Sequence, residues 1–250
     1  MTRINLSTEK AMEILYLSII VLLASIVGTT TGFGASTVMI PVVILFYPLS
    51  QTLLFVGIIH CFGNIWKLVI FREGFRWKLI LSFGIPGVMA GLLGALLVFQ
   101  ASSVKLSRIL AGFIIAYVIY LFLNPNFKIK ANRISAVSGG LLSGFMAGIF
   151  GMGGAVRSLF LSAFNLPKEI YIVTGAAIAI VIDITRLATY LLRSTRLNTF
   201  TLWGMLLFIP ISFIGAGIAK NIVDKIPQKY FRTVIAVFLL VMAGKLLIYP

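Results

Sequence analysis

Few residues in this chain can do chemistry, and those that can lie inside apolar stretches. Asp183 and Arg186 interrupt one run, His60 and Lys67 lie in another, and Arg157 stands just inside a third. Spaced three apart, Asp183 and Arg186 share a helical face and can pair, as a structural salt bridge or a functional one. Arg157 is the preferred substrate cation, because the glycine-rich run before it should leave backbone N–H groups that favour the same anion. Lys67 is expected to snorkel toward the loop at Arg72, and His60 reads as a helix-packing histidine in preference to a proton relay. His60 is the sole histidine and Cys61 the sole cysteine. One imidazole and one thiol support no Ser-His-Asp catalysis, no metal-ligand cluster and no disulfide. No Gly-x-x-x-x-Gly-Lys-Ser/Thr loop is present, so ATP-driven work is not indicated. The expectation is a protein that is not an enzyme and holds no cofactor or metal.

Two glycine-rich runs supply the second kind of chemistry. Gly28-Thr29-Thr30-Thr31-Gly32-Phe33-Gly34 divides one apolar segment, and Gly148-Ile149-Phe150-Gly151-Met152-Gly153-Gly154 divides another. Apolar halves of about 9–14 residues flank them, shorter than the ~20 residues a crossing needs. Unwound backbone at membrane depth is tolerated only where protein buries it or a wet cavity receives it. A helix restarting there points free N–H groups and a positive dipole end inward, which suits an anion. The candidate substrate-binding residues are therefore Gly32, Gly34, Ala35, Ser36 and Thr37 from the first break, and Gly151, Gly153, Gly154, Ala155 and Arg157 from the second. Asn64, Lys67, Asp183 and Arg186 are the candidates for coupling or charge relay. The competing reading is close helix packing by small residues, and the hydroxyls of Ser36 and Thr37 can instead back-bond to their own helix.

Residues of this kind need a membrane-embedded frame to position them, and composition provides one. Of 250 residues, 60% are hydrophobic and 11% charged, and mean hydropathy is +1.09, whereas soluble domains carry about a quarter charged residues. Hydrophobic segments fall at roughly 11–46, 51–71, 78–99, 105–123, 134–165, 170–192, 200–219 and 233–249. The fold class expected is all-α and polytopic, one transmembrane domain over 1–250, with the first segment a retained span rather than a signal peptide. An ordered series of matches divides it into repeats at 11–123 and 134–249. Gly28, Gly34 and Ala35 match Gly148, Gly154 and Ala155. Pro48, Asn64 and Lys67 match Pro167, Asp183 and Arg186. Pro86, Gly91, Lys105 and Arg108 match Pro210, Gly215, Lys229 and Arg232. Each four-segment half opens with a glycine-broken helix, expected to be re-entrant, and the halves are expected to be inverted. Net charge is +15, but the cations are scattered between apolar segments rather than gathered in a stripe, which disfavours nucleic acid. They fit the loops of a multi-pass protein of the cell (plasma or inner) membrane, on which positive residues mark the cytoplasmic face.

In the two glycine motifs, in Asn64-Ile65-Trp66-Lys67 before a basic loop, and in Pro210 to Gly217 followed by the Lys229/Arg232 loop, the sequence resembles the sulfite exporter TauE/SafE family, also called the toluenesulfonate uptake permease family. The likeness covers nearly the whole chain. It departs from the family pattern at Thr29-Thr30-Thr31 and at Arg157. What the resemblance implies is a permease for small sulfur-containing anions of the sulfite or organosulfonate class. The alternatives are an anion channel or a transporter of another small anion. The expected partners are the small anionic substrate and the lipid bilayer, with proton coupling left open and oligomeric state unspecified.

Overall fold

The computed structural model describes residues 2–72, 74–123, 129–222 and 228–248, and the regular structure among them is helical throughout. The ten helices are α1 (Thr2–Thr31), α2 (Ser36–Val43), α3 (Leu49–Phe71), α4 (Trp77–Leu97), α5 (Ser103–Leu123), α6 (Arg133–Phe150), α7 (Gly153–Ser162), α8 (Lys168–Leu192), α9 (Thr199–Ile222) and α10 (Gln228–Ile248). Seven of the described helices are long and apolar enough to cross a membrane. Lys225, like Lys128 in the basic loop before α6, lies outside the described residues.

Local signals set several boundaries. Pro48 and Pro167 stand immediately before α3 and α8 in extended conformation, since proline suits the edge of a helix and not its interior. The Asn132 side chain caps α6 by accepting from the Ser135 N–H at 2.8 Å. Asn198 does the same for α9, accepting from the Thr201 N–H at 2.6 Å.

Both glycine runs do divide their segments, but more narrowly than the sequence suggests. Gly28 to Thr31 are still helical, and so are Gly148 to Phe150. The non-helical stretches shrink to residues 32–35 and 151–152. The first helix of each pair is correspondingly full length, 30 residues for α1 and 18 for α6, which corrects the expectation of two short halves. Helical backbone satisfies its own hydrogen bonds, so in hydrocarbon it persists through glycines that would end a helix in water. Only α2 and α7, of 8 and 10 residues, are too short to cross.

After each break the chain doubles back. The Tyr47 hydroxyl, just past α2, donates to the Glu13 carboxylate near the start of α1. Phe160 in α7 packs on Gly139 in α6. The α1–α2 turn closes through Gly34 N–H to the Gly28 carbonyl at 3.2 Å, while Gly151 ends α6 at φ 69°, its N–H returning to the Ala147 carbonyl. That left-handed conformation is open to glycine and penalised in other residues.

Packing between spans follows the two faces of each helix. On α4, Leu81, Ile85, Met89 and Leu93 form an exposed apolar stripe while Gly87, Gly91 and Gly94 face α6. There they meet Gly140, Gly144 and Gly148 backbone to backbone, Gly87 beside Gly144 and Gly91 beside Gly148, so α4 and α6 run in the same direction. This is the small-residue packing that lets membrane helices approach closely. In the same way α1 runs with α9: Ser25 meets Gly215, and the Lys10 ammonium lies 5.8 Å from the Phe200 ring. By contrast α3 and α8 are antiparallel, with Gly57 against Leu187 and His60 against Asp183.

These pairings sort the connections to two ends. At one, the Arg76 N–H reaches the Thr174 hydroxyl at 3.4 Å and Lys220 reaches the Ile70 carbonyl at 3.0 Å. This end carries the α3–α4 and α7–α8 connections. The start of α1 and the α2–α3 and α8–α9 connections lie at the other. Trp77 and Trp203, both largely exposed, stand at opposite ends, the positions that aromatic belts occupy at membrane interfaces.

Candidate functional site

The tips of the two doubled-back pairs meet in the middle of the protein. A Cβ placed on Gly154 would lie 1.6 Å from the Phe33 carbonyl oxygen, so backbone touches backbone there. Across the junction the Ser158 hydroxyl donates to the Gly32 carbonyl at 2.6 Å, and the Tyr171 hydroxyl donates to the Ser158 carbonyl at 3.3 Å. Gly34, at φ +85°, packs on the His60 ring, where a Cβ would come within 2.5 Å of Nε2. Gly151 faces Ile40, Leu53 and the Arg186 guanidinium. Neither α2 nor α7 begins with a side-chain cap, their capping positions being Ala35 and Met152. The first N–H groups of α7 thus reach the centre without a side-chain acceptor, the arrangement that favours negative charge.

Around the tips, α3 and α8 hold a buried polar network. Arg186 Nε donates to Asp183 Oδ1 at 2.8 Å, and His60 Nδ1 lies 2.7 Å from Asp183 Oδ2. The Asn64 amide reaches the same carboxylate oxygen at 3.4 Å, while its own Oδ1 accepts from Lys67 Nζ at 3.1 Å. The pairing of Asp183 with Arg186 is the one their spacing predicts. The terminal nitrogens of Arg186 are buried with no acceptor in hydrogen-bond reach. Buried donors of this kind are costly to leave unmade.

One sequence expectation needs correction. Lys67 does not snorkel to the loop; it is 7% exposed and held by Asn64, because that carbonyl gives the ammonium a partner inside. His60 packs between α3 and α8 with its ring bonded to a carboxylate 123 residues away.

Beside the tips lies a narrow, partly open cleft. Gly32, Asn64, Lys67 and Arg157 line it, joined by Thr29 of the first glycine run and by Ser158 and Tyr171, which were not among the candidate residues. Its outer wall is the last part of α3 and the first part of α8, so it faces the end that carries the α3–α4 and α7–α8 connections. Arg157 is 4% exposed, and among the described residues it makes no ion pair or hydrogen bond, feeling the Asp183 carboxylate only across a gap. Of the other candidates, Ala35, Gly153 and Ala155 are buried at the junction, where tip packs on tip, and do not line the cleft. Thr37 turns its hydroxyl back to the Phe33 carbonyl at 3.0 Å. Ser36 is buried with its hydroxyl unpartnered. A signal for Ser158 and Thr29 existed in the sequence: both stand within one helical turn of a glycine of the break motifs.

A buried cationic cleft beside two broken helices, in a protein whose described residues include seven helices long and apolar enough to cross a membrane, is a membrane transporter's architecture and not a soluble protein's. No curated protein matches the chain. The sequence model of the family described as "Sulfite exporter TauE/SafE" matches residues 17–246, and on that coverage the chain belongs to the TauE/SafE family of multi-pass membrane transporters.

Proposed function

We propose that the protein is a permease of the cell membrane for small sulfur-containing anions of the sulfite or organosulfonate class, taken up where the two broken helices meet. The observation that carries this reading is Arg157. It is buried in the cleft without an ion-paired carboxylate, four residues beyond the start of α7 at Gly153, which has no side-chain cap. A membrane protein does not keep an unpaired buried cation cheaply: about 2.5–3.5 kcal/mol on insertion scales. An anion that visits the cleft gives the cost a purpose.

The breaks act, on this reading, as re-entrant hairpins in two inverted four-segment repeats. In its support, α4 packs along α6 as α9 packs along α1, and α3 crosses α8 at the centre in antiparallel sense. The first repeat's elements thus meet the second's in matching pairs. The α3–α4 loop carries Arg72 and Arg76, Lys78 lies in the first turn of α4, and Lys130 and Arg133 precede and open α6, so this end is assigned to the cytoplasm by the positive-inside rule. The cleft faces that end. Because the tips touch, they must part for an anion to pass from the cleft to the far side. Asn64, Lys67, Asp183 and Arg186, with His60 joined to them, form the linkage through which occupancy of the cleft, or proton exchange, reaches the tips.

The test is uptake in proteoliposomes of purified protein against sulfite, sulfate, thiosulfate and small sulfonates, with and without a proton gradient. Saturable flux with counterflow is expected for at least one of them. Absence of flux for all four overturns the reading, and non-saturating electrical conductance replaces the carrier with a channel.

A further inference from the structure

At the end that carries the α3–α4 connection, the starts of α4 and α6 form one surface. The register that sets Phe83 beside Gly140, Gly87 beside Gly144 and Gly91 beside Gly148 brings Trp77 of α4 level with Ile134 of α6. Ile80 and Ala136, further along the two helices, are buried in a common cluster. Trp77 is 64% exposed and Ile134 75%, and the Trp77 ring lies 5.2 Å from that of Phe75, itself exposed. Large apolar side chains in such places are left for lipid to cover. The face of α4 that bears Trp77 continues as the exposed Leu81 and Ile85, an apolar track leading away from the helix start.

Basic residues surround this track. Arg72, Arg76, Lys78, Lys130 and Arg133 are all exposed, and among the described residues none of them makes an ion pair with a carboxylate. They outnumber the acids nearest to them in the chain at this end, Glu73 (outside the described residues) and Glu169 in the first turn of α8. We infer that this surface binds an anionic glycerophospholipid, its phosphate held among the basic side chains of the two helix starts and an acyl chain laid along Trp77, Leu81 and Ile85. Like charges gathered at two adjacent helix starts repel, and a lipid phosphodiester supplies the opposite charge at the depth where they stand. Arginine can grip two of its oxygens at once. A zwitterionic lipid cancels that charge with its own choline, and a soluble anion brings no chain for the apolar track. Because α4 comes from the first half of the chain and α6 from the second, a lipid bound here clasps the halves together at the foot of their glycine seam.

The experiment is native mass spectrometry of the purified protein in detergent, titrated with phosphatidylglycerol or with phosphatidylcholine of the same acyl chains. Wild type should hold phosphatidylglycerol at least about tenfold more tightly. Arg76→Gln with Lys78→Gln should weaken phosphatidylglycerol roughly 30-fold, at about fivefold for each cation at a membrane surface, and leave phosphatidylcholine unmoved. Lys130→Gln with Arg133→Gln should do the same from the α6 side. The control is Lys105→Gln with Arg108→Gln, two exposed cations on α5 at the opposite end of the protein, which should change either affinity by less than about twofold. Melting temperature without added lipid, measured for every variant, separates misfolding from lost binding. Should one pair of substitutions fail to fold, the other pair and the wild-type ratio decide. Phosphatidylglycerol bound no more tightly than phosphatidylcholine overturns the assignment, and so does an equal loss from the α5 pair. Displacement of phosphatidylglycerol by millimolar inorganic phosphate also overturns it, giving the cations to soluble anions. The permease reading is not touched by any of these results, since no transport is measured.

Discussion

Gly154→Ala is the sharpest test of the junction. The added methyl carbon would sit 1.6 Å from the Phe33 carbonyl oxygen, the shortest such approach at any described glycine. Bringing that pair to an ordinary 3.4 Å contact requires a displacement of roughly 1.8 Å between the tips. The obstacle is backbone on the other hairpin, so no rotamer change can absorb it. Overpacking of this kind costs typically about 1–3 kcal/mol, which lowers the population of the tip-to-tip state by roughly 5- to 150-fold. The matched control is Gly112→Ala on α5, where a Cβ meets nothing within 4 Å. The assay is sulfite flux into proteoliposomes, with the monodisperse fraction on size exclusion measured for the same preparations. Gly154→Ala should cut flux far more than it cuts folded protein, and Gly112→Ala should leave both unchanged. Full flux in Gly154→Ala would refute a functional junction. Flux that falls only in step with folded yield would make the contact a packing contact.

Other perturbations separate the site from the frame. Arg157→Gln should weaken anion binding by about 1.5–3 kcal/mol, whereas Lys130→Gln, on an exposed residue near the start of α6, should change it little because a solvated charge is screened; equal effects would make Arg157 a general field source. Asp183→Asn leaves the buried Arg186 without its counter-charge, and removing one member of such a pair costs about 3–5 kcal/mol; a melting temperature equal to wild type in detergent would contradict that. Gly144→Ala would put a Cβ 2.1 Å from the Gly87 carbonyl oxygen, so it should reduce folded yield before it alters the flux per folded molecule. Flux that drops first would assign the α4–α6 seam to transport.

Much of the frame was legible because the membrane imposes simple rules. Runs of about 20 apolar residues had to be spans, and multiple glycines midway through two of them had to be breaks. The Asp183–Arg186 pair was readable because helical periodicity alone places it. His60 was not, since its partner is supplied by a different helix and nothing local distinguishes a packing histidine from a bonded one. A clue lay in the repeat alignment, which sets Asn64 against Asp183 and Lys67 against Arg186. Residues in corresponding places on α3 and α8 are brought opposite one another where those helices cross, and His60 is one turn before Asn64. The extent of each break was overestimated because glycine's poor helix propensity was read as in water, while the lipid phase penalises unpaired backbone more than it penalises glycine.

The glycine seam between α4 and α6 has a consequence for how the chain enters the membrane. Among the seven described helices long and apolar enough to cross, α6 has the least apolar window, and α7, which follows it, brings Arg157 with it. Neither is well suited to lie alone in lipid, and the face of α6 formed by Gly140, Gly144 and Gly148 offers lipid chains a furrow they fill poorly. The surface that fills it, Gly87, Gly91 and Gly94 of α4, is made some fifty residues earlier in synthesis and so already awaits it at the insertion site. Biogenesis is therefore ordered. The first half of the chain serves as an intramolecular chaperone for the second, and a nascent chain in which α4 has lost its small-residue face should release the 133–162 hairpin to the aqueous side before the last spans are made.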